Sequence, residues 1–143
     1  MKKLFISLCM AGMLTGIASC GTSREASSIK TLDGEWRVVE VAGHPVKHVP
    51  GEKEAFIGLN VKEKRLYGNT SCNNLTGGFE ADAKNGKISF GQAGSTRMMC
   101  HDMETERKVL DAINKTASFE MQGKGKMLFK SADGRQLMKL EKK

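Results

Sequence analysis

Gly78-Phe79-Glu80-Ala81-Asp82-Ala83-Lys84-Asn85-Gly86-Lys87-Ile88-Ser89-Phe90 decides the fold class. Two short segments rich in strand formers flank a polar run ending in Asn-Gly, a pair that supplies the positive φ angles of a tight hairpin. Upstream, Ile57, Leu59 and Val61 alternate with Phe56, Gly58 and Asn60. Lys62-Glu63-Lys64 then turns the chain into Arg65-Leu66-Tyr67-Gly68, a second hairpin. Earlier still, Glu35–Val41 is strand-forming, with Trp36 and Val38 on one face, and Gly43-His44-Pro45 ends it in a loop running to Glu54. Downstream, Ser118–Met121, Lys126–Phe129 and Gln136–Leu140 are separated by Gly123-Lys124-Gly125 and Asp133-Gly134 turns. One helix interrupts the strands: Asp102 caps it, Glu104 and Glu106 lie in its first turn, and Val109, Leu110 and Ile113 form an apolar stripe. Glu104 with Lys108, and Asp111 with Lys115, are i,i+4 pairs in the favourable order. Seven or eight short strands need edge protection, which curling supplies. The expected fold is mainly β: a small antiparallel β-barrel-like domain, a curled sheet, with one packed α-helix.

The chain has 143 residues, 39% hydrophobic and 27% charged, which suits one globular domain and excludes a large multidomain enzyme or a disordered acidic protein. Its first stretch reads as a targeting segment. Lys2 and Lys3 precede the apolar run Leu4–Leu14, which is too short to span a bilayer comfortably. Ile17-Ala18-Ser19-Cys20 then resembles the lipobox of bacterial lipoproteins, whose cysteine is acylated after cleavage. Several acyl chains anchor stably where one binds only marginally. The expected organisation is a signal peptide at 1–19, a lipidated flexible tether at 20–31 and a domain at 32–143. Loss of Lys2 and Lys3 lowers the net charge from +7 to +5. Gly21, where an aspartate favours inner-membrane retention, points to an outer-membrane anchor facing the periplasm.

Cys9 leaves with the leader and Cys20 carries lipid, so Cys72 and Cys100 remain. A pair in an oxidising compartment is read first as a disulfide, and its loop restricts the unfolded chain by roughly 3–4 kcal/mol. Two buried thiols, or a metal site recruiting His101 and Asp102, are the alternatives. The paired short spacings of structural zinc and the CxxC redox motif are absent.

A bond between Cys72 and Cys100 joins Asn73 and Asn74 to Thr96 and Arg97, giving an amide, hydroxyl and guanidinium patch suited to an anion or carboxylate. In the alternative, Asn73 holds a left-handed turn and Arg97 pairs with carbonyls or an acid. His44 and His48 read as solvated loop residues, because Pro45 prevents the helix that would unite them. Ser95 lacks a nucleophile elbow and has only His101 as a nearby base. Met98, Met99 and Met103 read as filler between helix and sheet, with an adaptable apolar surface or a copper site as alternatives. Three glycosylation sequons, at Asn69, Asn74 and Asn114, read as incidental. No metal, cofactor or catalytic set is expected. Basic charge without interleaved aromatics argues against nucleic acid and suits anionic headgroups.

Leu32-Asp33-Gly34-Glu35-Trp36, Leu66-Tyr67-Gly68-Asn69-Thr70-Ser71-Cys72-Asn73-Asn74 with Gly77 and Phe79, and Ser95-Thr96-Arg97-Met98-Met99-Cys100 followed by Glu106 and Leu110 together resemble the META/HslJ-like domain. The similarity runs in order from about Leu32 to Leu140. Ser71 stands where a glycine is usual, and Phe79 where tyrosine is common. The resemblance implies a small β-barrel-like domain, often on exported lipoproteins and in some members linked to heat stress or antibiotic tolerance. It implies no established enzyme activity.

The expected function is therefore that of a non-enzymatic, monomeric envelope lipoprotein, held to the membrane by its lipid. It binds an unidentified envelope protein or lipid component, in connection with envelope stress. Two other readings are a lipocalin-like carrier of a small apolar ligand, which needs an apolar cavity, and an inhibitor of a hydrolase, which needs an exposed loop. An enzyme needs convergent polar groups in one cleft and trails these.

Overall fold

The computed structural model describes residues 29–143, so the expected signal peptide and Cys20 lie outside the described residues. The tether expected at 20–31 overlaps them only at 29–31, which are exposed. Ile29–Leu32 form a 3-10 turn, Leu32 is fully buried, and its carbonyl accepts a 2.8 Å hydrogen bond from Trp36 Nε1. Burying Leu32 and pairing the Trp36 N–H draw this turn into the domain.

The strands are β1 (Gly34–Val41), β2 (His44–Pro45), β3 (Phe56–Asn60), β4 (Arg65–Asn69), β5 (Asn74–Asp82), β6 (Lys87–Phe90), β7 (Gly94–Ser95), β8 (Thr116–Met121), β9 (Lys126–Ser131) and β10 (Gln136–Lys142), with helix α1 at Met103–Lys115. Eight of them close into an antiparallel barrel in the order β1-β3-β4-β5-β6-β8-β9-β10, with β10 returning to β1. Closure removes the sheet edges. The two-residue strands β2 and β7 lie outside the ring, on β1 and β5. The curled sheet expected from the sequence is thus a complete barrel. Its narrowest seam is β6–β8, where Lys87 opposes Ser118 and Phe119 N–H bonds the Gly86 carbonyl at 2.9 Å.

Period-two alternation sends Trp36, Val38, Ile57, Leu59, Leu66, Leu75, Phe79, Ile88, Phe119, Met127, Phe129, Met138 and Leu140 inward. A register shift between Val38 and Glu40 lets Val41 also face in. Phe56 faces outward, its ring edge-on to Tyr67 at 6.3 Å, while half-buried Phe90 packs on Phe129 at 5.4 Å.

The ends of the barrel differ. One gathers Ile29–Leu32, the start of β1 and the turns β3–β4, β5–β6 and β8–β9. The other gathers the β4–β5 turn, the loop after β6 and α1, whose last residue leads directly into β8. The helix touches β1 and β10 on one side of the ring and β6 on the far side, so it lies across that end as a lid. Asp102 caps it by accepting from Thr105 N–H at 2.9 Å, and both expected ion pairs form, Lys108–Glu104 at 2.7 Å and Lys115–Asp111 at 2.8 Å. The buried stripe is Glu106, Val109, Ala112 and Ile113; Leu110 is only half-buried.

Candidate functional site

The helix-covered end carries every candidate patch residue, and Asn73 organises it. Asn73 is fully buried. Its Nδ2 donates to the Met98 carbonyl at 3.1 Å and to Glu106 Oε2 at 2.6 Å. Its Oδ1 accepts from Thr96 Oγ1 at 2.8 Å and from Met98 N–H at 2.7 Å. One amide therefore holds the 94–98 loop at three points and ties it to the helix. Thr96 Oγ1 in turn accepts from Asn74 N–H at 3.1 Å, and Ser95 Oγ donates to Glu106 Oε1 at 3.4 Å. The two sulfurs of Cys72 and Cys100 sit at bonding distance with Cα atoms 5.9 Å apart, a geometry that fits a disulfide.

Of the four residues expected to form one patch, Asn74, Thr96 and Arg97 are exposed, while Asn73 lies beneath them as their support. A side chain with four internal hydrogen bonds and no accessible surface cannot read a ligand. It is not a left-handed residue either: the positive φ of this turn, 82°, belongs to Ser71. Arg97 makes no ion pair among the described residues, so its guanidinium faces solvent rather than carbonyls or an acid.

Two features differ from what the sequence favours. Glu106 reads as an acid placed near the helix N-terminus for its dipole, yet it is 5% exposed and bonded by Asn73. The available signal was its spacing: it shares a face with Val109 and Ile113 at i+3 and i+7. The second is the exposure of the methionines. Met99 is 91% exposed, Met98 50% and Met103 39%, so none fills the gap between helix and sheet. Ala112 and Ile113 do that.

The electrostatics around this end are local. Thr105, bonding through its side chain and backbone N–H, holds the Asp102 carboxyl below its ordinary range, and a hydrogen bond from Lys108 does the same for exposed Glu104. His44 and His48 are both exposed. No three of the described His, Cys, Asp and Glu residues converge on a common point. An open hollow of about 210 Å³ lies between β2 and the start of α1, lined by His44, Lys47, Asp102, Glu104 and Lys108 among others. A smaller one of about 40 Å³ lies under the 46–55 loop and touches Ser71.

The three segments that meet at Asn73 are the β4–β5 turn, the Ser95–Cys100 loop and the first turns of the helix. The META domain family matches residues 28–143, a range that includes all three segments. The chain belongs to the META domain family. Solved structures share this META barrel. One from Burkholderia xenovorans, determined by NMR, is 20% identical and covers 100% of this chain and 99% of its own, at a TM-score of 0.62. A second NMR structure, 18% identical, covers 80% and 94% at 0.62. A crystal structure of a duf4847 family protein from Bacteroides vulgatus, 13% identical, covers 79% and 94% at 0.58. At these identities the likeness is one of fold. No curated protein sequence matches the chain.

Proposed function

We propose that this META domain is the non-enzymatic binding module of an envelope lipoprotein, held by lipid at Cys20, and that it presents the 94–102 loop to a partner. The observation carrying the reading is a contrast within one segment. The Met98 backbone is fixed at both its N–H and its carbonyl by Asn73, while the side chains of Arg97, Met98 and Met99 stand in solvent. A surface rigid before contact loses little entropy on binding, and a guanidinium beside apolar side chains is a composition suited to protein interfaces.

The chain direction supports the orientation. Ile29 lies at the barrel end opposite the loop, and an anchor at Cys20 stands nine residues earlier, a reach of roughly 30 Å at most. The loop then faces away from the membrane, toward the periplasm if the anchor is in the outer membrane. A carrier role finds less support. Trp36, Leu59, Leu66, Phe129, Met127, Met138 and Leu140 fill the interior with almost no exposure, and the two hollows described above lie outside it, lined in part by charged side chains. Ser95 bonds Glu106 rather than a histidine, which is no arrangement for nucleophilic catalysis.

The test is capture from native envelopes by the lipidated chain and two variants. Arg97→Glu is expected to abolish a stoichiometric partner, and Lys124→Glu, in the turn at the opposite end, to retain it. Equal capture by both variants, or no partner for the unaltered chain, overturns the reading.

A further inference from the structure

Nine methionines occur in the chain, and those in the barrel behave as core residues: Met127 and Met138 are fully buried. Met98, Met99 and Met103 differ. They stand 50%, 91% and 39% exposed within six residues, two in the loop and Met103 at the first position of α1, with exposed His101 between them. Leaving three large apolar side chains in water costs hydrophobic free energy that a polar residue would avoid. What methionine offers that leucine does not is the thioether sulfur, a soft and polarizable donor.

The backbone carrying these donors is fastened at three points. Asn73 holds Met98 at 2.7 and 3.1 Å; Cys100 lies at bonding distance from Cys72; Asp102 is locked as the helix cap at 2.9 Å. The Met103 sulfur already folds back toward the loop, accepting from Cys100 N–H, the residue before His101, at 3.5 Å. Met98 and Met99 stand three and two residues before His101, each on a side chain with three rotatable bonds. We infer that Met98, Met99, Met103 and His101 form a surface site for a soft monovalent cation, copper(I) in kind, bound by two or three thioethers and one imidazole. Thioether donors select copper(I) over zinc, calcium and magnesium. With Cys72 and Cys100 bonded to each other, no thiolate at this end competes for the ion. The inference goes beyond the binding-module reading, because ion binding by the isolated chain succeeds or fails without any protein partner.

Silver(I) is the probe, a soft monovalent ion that does not change oxidation state during the titration. The full chain with Cys9→Ala and Cys20→Ala, in detergent micelles, removes the thiols outside the domain. The methyl signals of all nine methionines are followed by NMR. One equivalent of silver is expected to shift Met98, Met99, Met103 and the His101 ring while Met127 and Met138 stay still. The triple variant Met98→Leu, Met99→Leu, Met103→Leu, which keeps the apolar volume but removes every thioether donor, is expected to bind more than about a hundredfold more weakly, beyond the loss caused by disturbing a site's supporting contacts. Unchanged tryptophan emission from Trp36 shows that this variant is folded. The inference is overturned if the triple variant binds silver as tightly as its parent. It is equally overturned if shifts are confined to Met1, Met10 and Met13, or if Met98, Met99 and Met103 do not move.

Discussion

Replacing Asn73 by alanine tests whether one buried amide holds the loop end together. The side chain makes four hydrogen bonds, to Met98 twice, to Thr96 and to Glu106. Three at about 1 kcal/mol each, and the bond to the Glu106 carboxyl at about 1.5–3, total roughly 4.5–6 kcal/mol. Partial collapse and rebonding through Ser95, 3.4 Å from Glu106, reduce the expected loss to about 3–5 kcal/mol, at or above the upper end of ordinary single substitutions. That is a large share of a domain's stability of about 5–15 kcal/mol. Trp36, the single tryptophan, is 1% exposed and reports unfolding directly. Urea titration of the full chain and its Asn73→Ala variant gives the difference at unchanged slope. Asn74→Ala removes the 3.3 Å acceptor of buried Asn69 Nδ2 and is expected to cost about 1–2 kcal/mol, less than Asn73→Ala. A loss for Asn73→Ala below about 1 kcal/mol, no more than an average substitution, refutes the clamp.

Ser71→Gly is expected to stabilise the chain by about 1 kcal/mol, because a left-handed backbone disfavours an L side chain. Ser71 holds φ at 82°, and its buried hydroxyl has no partner among the described residues; a lowered urea midpoint would refute this. Cys72→Ser, or reduction, opens a 28-residue separation and is expected to cost about 3.5 kcal/mol by loop entropy; thermal melts with and without reductant check it. Asp102→Ala removes the helix cap at a cost of about 1 kcal/mol. Since the folded Asp102 carboxyl titrates below its ordinary value, its stabilisation is complete above about pH 4 and disappears as pH falls through the lower folded value. A parent-minus-variant difference that instead grows on acidification refutes this. Gly68→Ala would place a Cβ inside contact distance of the Phe56 carbonyl oxygen on the neighbouring strand, and a loss above about 2 kcal/mol is expected, read from the same titration.

The sequence by itself determined the elements whose signals are local. Alternating apolar residues set the inward faces of β1, β3 and β4, the Asn85-Gly86 pair set a hairpin, and Asp102, Glu104 and Lys108 set the start of the helix. These patterns act within a few residues, so a reader of the chain sees them directly. Two parts of the fold have no such local signal. Closure of β10 on β1 joins residues about a hundred positions apart. The β6–β8 seam is registered at a single residue pair, Lys87 opposite Ser118. The tertiary structure also decided which side of the surface each candidate occupies. Asn73 and Asn74 are neighbours of the same type, yet one anchors the loop from beneath while the other faces water. Glu106 and Glu104 both look like first-turn acids, but rotation about the helix axis buries one and exposes the other. Met98 and Met99 suit the gap between helix and sheet by composition, yet they stand in solvent because the Asn73 clamp holds their backbone across the outside of a barrel end that Val109, Ala112 and Ile113 have already filled.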